Sequence, residues 1–69
     1  MKAKLYIDKR EPLISVWPEP LSDGSEAWNL YFRGCSDGIP CISEQKADEA
    51  FAVIAEALRL ATNENVLVL

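Results

Sequence analysis

Apolar and polar residues alternate with a period of two along Lys4-Leu5-Tyr6-Ile7-Asp8, which predicts a strand. Leu5 and Ile7 share one face, and Lys4 and Tyr6 the other. A polar turn over residues 8–11 follows. Leu13-Ile14-Ser15-Val16-Trp17 predicts a second strand, with Ile14 and Val16 on one face and Leu13, Ser15 and Trp17 on the other. Pro18 is expected to end it, because proline cannot donate to a ladder. The next stretch predicts a loop: Pro18-Glu19-Pro20 is stiff and extended, and Ser22-Asp23-Gly24-Ser25 is turn chemistry. Residues 27–33 predict a third strand, Trp28, Leu30 and Phe32 opposing Asn29, Tyr31 and Arg33. A turn with Asp37-Gly38 at its tip leads to a short fourth strand over 39–42, placed at an edge by Pro40.

The period then changes. Ser43 is a good N-cap and Glu44 suits the positive end of a helix dipole, so a helix is predicted over 44–62, with Asn63 and Asn65 as stop residues. Val66-Leu67-Val68-Leu69 is wholly apolar. It reads as a buried strand beside the first and parallel to it, reached by a right-handed crossover. The expectation is one α+β domain over residues 1–69, an antiparallel sheet of three or four strands with one amphipathic helix on one face and a C-terminal strand. Leu5, Ile7, Ile14, Val16, Trp28, Leu30 and Phe32 would face Phe51, Ile54 and Leu58.

Two surfaces are left over. The apolar arc of the helix is wider than one sheet requires: Val53, Ala57 and Leu60 extend it until Glu49 and Glu56 stop it. Either a loop or the connection after Gly34 covers these residues, or they form a homodimer or partner contact. The sheet face away from the helix would display Lys4, Tyr6, Leu13, Trp17, Asn29, Tyr31 and Arg33. Cross-strand aromatic pairs could simply stabilise a small sheet. Trp, Tyr and Arg are also the commonest interface anchors, which makes Lys4, Tyr6, Trp17, Asn29, Tyr31 and Arg33 the candidate partner-binding residues. Aromatics and cations on a sheet further suit single-stranded nucleic acid.

Charge bears on that choice. The chain of 69 residues has a net charge of −4. Lys2, Lys4, Lys9 and Arg10 cluster near the start against Asp8 alone, and ten carboxylates follow against Arg33, Lys46 and Arg59. Such a body repels a phosphate backbone and favours basic partners, or is simply kept soluble by its charge. No apolar run reaches the roughly 18–20 residues of a membrane span. Asp8, Lys9, Arg10 and Glu11 fall where a secretory signal needs its apolar stretch, which favours the cytoplasm. Cys35 and Cys41 are too few for a disulfide framework. They read as reduced, partly buried thiols, with a disulfide across the intervening turn as the alternative.

Catalytic chemistry finds little support. The chain has no histidine, so the common triads and histidine bases are absent. Glu44, Asp48 and Glu49 read as solvated dipole partners at a helix start. Ser43-Glu44-Gln45-Lys46 matches the S-x-x-K pattern of serine acyl-transfer enzymes, but the companion motifs are missing and Ser43 reads as a cap. No glycine-rich phosphate loop and no zinc-type ligand set occur, so no cofactor and no metal are expected. The run Trp28-Asn29-Leu30-Tyr31-Phe32-Arg33-Gly34-Cys35, with Asp48-Glu49-Ala50 downstream, resembles HicB-type antitoxins, where a strand ends in a Gly-Cys turn before an Ala-rich helix. The match spans under half the chain, its connection is several residues longer, and Arg33 stands where that family has proline. The resemblance implies a small α/β antitoxin domain that masks a toxin.

The resulting expectation is a non-enzymatic, stoichiometric inhibitor of a protein target, one with a basic or nucleic-acid-binding surface. By analogy of size and charge alone, it is of the type that phages use against bacterial defence complexes, such as anti-CRISPR proteins. The alternatives are an antitoxin-like or regulatory homodimer, joined through Val53, Ala57 and Leu60, and a single-strand nucleic-acid binder.

Overall fold

The computed structural model describes every residue except Lys9, so that part of the expected 8–11 turn lies outside the described residues. The elements are β1 (Ala3–Tyr6), β2 (Ile14–Pro20), β3 (Glu26–Phe32), β4 (Ile39–Pro40), α1 (Glu44–Ala61) and β5 (Leu67–Val68). The strands form one antiparallel sheet in the order β4-β3-β2-β1-β5. This is the α+β architecture the sequence implies, with the last strand completing a sheet of five.

The alternating pattern decides which face is buried. Ala3, Val16 and Leu30 form one rung of facing residues, and Leu5, Ile14 and Phe32 another. Leu5 and Val16 are fully buried, each contributing about 1.5–3 kcal/mol of apolar transfer. The helix answers with Ala47, Phe51 and Ala55. Spacings of four residues stack these on one side of the helix, which packs over β2 and β3. Ile7, Trp28, Ile54 and Leu58 close the margins of this cluster. The helix begins where Ser43 Oγ accepts a hydrogen bond from the backbone N–H of Lys46 at 3.1 Å. It ends at Thr62, whose backbone is extended and whose N–H donates to the Leu58 carbonyl. The Ser-x-x-Lys spacing is thus used for a cap.

Three expectations are corrected. Pro18 does not end β2, which runs on to Pro20 opposite Glu26. The partner of Pro18 is Trp28, whose carbonyl instead accepts from the N–H of Cys41 on the β4 side. Pro18 therefore faces β3 at a position that requires no donor, and β1 begins only at Ala3, so its other side is an edge. Second, β5 is antiparallel to β1, with paired bonds between Lys4 and Leu69 at 2.9 and 2.8 Å. The fourth strand adds one reversal before the helix, so β5 runs in the direction of β4. An 18-residue helix of about 27 Å carries the chain from one sheet edge to the other. As an edge strand β5 is exposed, not buried. Third, Leu13 packs against the core instead of joining the open face. Its N–H bonds to the Leu5 carbonyl although Ile14 is the register partner of Leu5, so the chain enters β2 offset.

The β2–β3 hairpin extends beyond β1 for four further pairs, from Trp17 opposite Asn29 to Pro20 opposite Glu26. The molecule is accordingly elongated, 43 × 22 × 18 Å, with a radius of gyration of 12.5 Å against about 11 Å for a compact chain of this length. Gly24, with φ +89°, turns the hairpin tip, and Asp23 accepts from both the N–H and the hydroxyl of Ser25.

Candidate functional site

One helix covers one face of the sheet and leaves the other open. Register places the residues of that face without ambiguity, because facing residues in a ladder point the same way. Leu69, Lys4, Ser15 and Tyr31 form one row. Trp17, Asn29 and Pro40 form a second, and Leu67 and Tyr6 a third. Five of the six candidate residues, Lys4, Tyr6, Trp17, Asn29 and Tyr31, therefore lie on one surface, brought there from three strands.

They are not equivalent. Trp17 is the most exposed of the five, with 39% of its surface accessible. The Nζ atoms of Lys2 and Lys4 lie 5.0 and 5.1 Å from its ring centroid, within cation–π range. Tyr31 is half-buried in the adjacent row, and Tyr6 is half-buried in the row beyond that. Asn29 is only 5% exposed. Its Nδ2 donates to Glu19 Oε2 at 2.9 Å and to Tyr31 Oη at 3.1 Å, tying the hairpin arm to the face. Asn29 thus orients Tyr31 and presents little surface of its own. Gly38 lies against the same group: a Cβ there would come within 2.6 Å of Tyr31 Cε1 and 3.0 Å of Asn29 Cβ. Its role is close approach to the tyrosine ring.

Arg33 lies one residue past the end of β3, where it lines a shallow cleft with Ser15 and Tyr31. Its Nη1 donates to Asp8 Oδ2 at 2.9 Å, its Nη2 donates to the Glu11 carbonyl at 2.7 Å, and its Nε stands 3.4 Å from Glu11 Oε1. It pins the β1–β2 turn to the sheet. The Arg10 backbone N–H and then the Arg33 guanidinium hold the Asp8 carboxyl below the usual range.

Sequence reasoning missed three members of the open face. Lys2 lies outside the predicted strand, yet the alternation Lys2, Lys4, Tyr6 already carried the signal. Leu67 and Leu69 were assigned to a buried strand, and both are exposed. On the opposite side of the molecule, Val53 and Leu60 are 68% and 80% exposed and Ala57 is exposed as well, so no loop among the described residues covers them. Lys46–Glu49 and Glu56–Arg59 ion pairs lie along the same helix. Cys35 is exposed, Cys41 is half-buried, and the two are not joined.

No protein-family model, no curated protein and no solved structure matches the chain. Among the described residues, no helix is long and apolar enough to cross a membrane.

Proposed function

We propose that this chain is a non-catalytic binding domain that occupies a protein target stoichiometrically, in the cytoplasm, through its uncovered sheet face. The observation that carries this reading is Trp17, accessible on a face whose other members are Tyr6, Tyr31, Leu67, Leu69 and two lysines. Tryptophan and tyrosine lose little side-chain entropy on contact and bury large areas, which is why they anchor interfaces. A small, elongated acidic domain of this kind suits an inhibitor, the type represented by phage proteins that block bacterial defence complexes, such as anti-CRISPR proteins. The net charge of −4 favours a target with basic surface at long range.

The test is a tagged pull-down run with the natural chain and with a Trp17→Ala/Tyr31→Ala double variant whose fold is verified by circular dichroism. One target captured at about one-to-one by the natural chain, and lost by the variant, is the expected result; equal capture by both sinks this reading of the face.

A second reading is favoured by the exposure of Val53 and Leu60: an antitoxin-like or regulatory homodimer through the outer helix face. It predicts a dimer mass in solution that Leu60→Glu reduces to the monomer.

A further inference from the structure

Arg10 aside, the lysines and arginines among the described residues fall into two groups. Arg33, Lys46 and Arg59 each stand within 4.0 Å of a carboxylate. Lys2 and Lys4 form no such pair among the described residues, and both instead direct their ammonium groups at one indole ring. The nearby carboxylate of Glu19 accepts from Asn29. The open face of an acidic protein therefore concentrates unpaired positive charge around its most accessible aromatic residue.

We propose that this face recognises an acidic extended segment of the protein target, with carboxylates on Lys2 and Lys4 and apolar side chains against Tyr6, Leu67 and Leu69. This rests on the reading of the sheet face given above. Three features of this face point to that occupant. Lys2 and Lys4 both reach the Trp17 ring, so two ammonium groups stand together on one side of the sheet, where alternate side chains of an extended ligand can meet them. Each ammonium is already stripped of part of its water by the indole face, so a carboxylate completes its shell at lower cost than for a free lysine. Leu69 in the Lys4 row, and Leu67 and Tyr6 in the next row, receive apolar side chains that lie further along the same side of the ligand.

The probe is a short blocked peptide, Glu-Thr-Glu-Thr-Val-Thr-Val, which when extended carries two carboxylates and then two valines on one side. Its controls replace Glu by Gln or by Lys, and oligo-dT serves as the nucleic-acid arm. Binding is read at low salt from Trp17 emission in a Trp28→Phe background, and by calorimetry on the natural chain, which is immune to any misfolding of that variant. The expected result is saturable binding of the Glu peptide, about tenfold tighter than the Gln peptide, abolished by high salt and by Lys2→Gln/Lys4→Gln. Equal binding of the Gln or Lys peptide, or no binding by any probe, overturns the proposal. Preferential binding of oligo-dT overturns it too and assigns the face to nucleic acid. The pull-down separates this proposal from the one beneath it. If Lys2→Gln/Lys4→Gln still captures the target that Trp17→Ala/Tyr31→Ala loses, the face is the site and acid recognition is wrong. If the aromatic variant also keeps the target, the face itself is wrong.

Discussion

Phe51 and Val53 are apolar residues two positions apart on α1, yet the structure gives them opposite roles. Phe51 is 6% exposed, between Ala47 and Ala55 at the sheet, whereas Val53 is 68% exposed. Truncating Phe51 to Ala costs about 3–5 kcal/mol, the transfer term plus the cavity left behind. A domain of 69 residues has a total stability of roughly 3–10 kcal/mol, so Phe51→Ala removes about a third of it or more and unfolds a chain at the low end of that range. Phe51→Leu is the measurable variant, expected to lose about 1–2 kcal/mol. Val53→Ala removes little buried surface and gains about 0.5 kcal/mol of helix propensity, leaving stability within about 0.5 kcal/mol of the natural chain or slightly above it. Urea unfolding followed by circular dichroism and tryptophan fluorescence decides the matter. With a slope of about 1 kcal/mol/M, Phe51→Leu moves the midpoint down by about 1–2 M and Val53→Ala hardly moves it. A loss above about 1 kcal/mol for Val53→Ala, growing with protein concentration, would refute the reasoning: the outer face of the helix would then be buried against a second copy. A neutral Phe51→Leu would refute the packing of α1 on the sheet.

Other perturbations probe separate parts of the account. Gly38→Ala drives a methyl into the Tyr31 ring and should cost about 1–3 kcal/mol, read as a lower thermal midpoint, although no turn conformation demands glycine there. Ser43→Ala removes the helix cap and should cost about 1 kcal/mol, a fall of about 4–8 °C. Asp8 and Asp23 have carboxyls held below their ordinary value of 3.8, Asp8 first by the Arg10 N–H and Asp23 first by the Ser25 hydroxyl. Protons therefore bind the unfolded chain more readily. This stabilisation is complete above pH 3.8 and is lost as pH falls from there through the folded values. Thermal melts in this range should show Asp8→Asn and Asp23→Asn declining less steeply than the natural chain.

How far the sequence revealed this molecule depended on whether a signal was local. The helix could be bounded to within a residue because Ser43 caps by its own side chain and the apolar stripe repeats at helical spacing. The open face was legible in the alternation of Lys4, Tyr6, Trp17, Asn29 and Tyr31. Its internal ranking was not, because the burial of Asn29 is set by Glu19 ten residues away and by Gly38 closing over Tyr31. Pro18 was read by a rule that holds for central strands, whereas its position opposite Trp28 asks for no donor and β1 stops short of it. The direction of β5 turned on whether residues 39–42 count as a strand, since one more reversal inverts everything after it. An apolar tetrapeptide carries no mark that distinguishes a buried strand from an exposed edge.

The central claim is that the target meets the sheet face at Trp17. The most direct measurement places a photo-crosslinking amino acid at position 17 and, in a separate variant, at position 60, with the target identified by the natural chain present in each reaction. The account predicts a one-to-one covalent adduct with the target from position 17 and none from position 60. An adduct from position 60 with none from position 17 would contradict it.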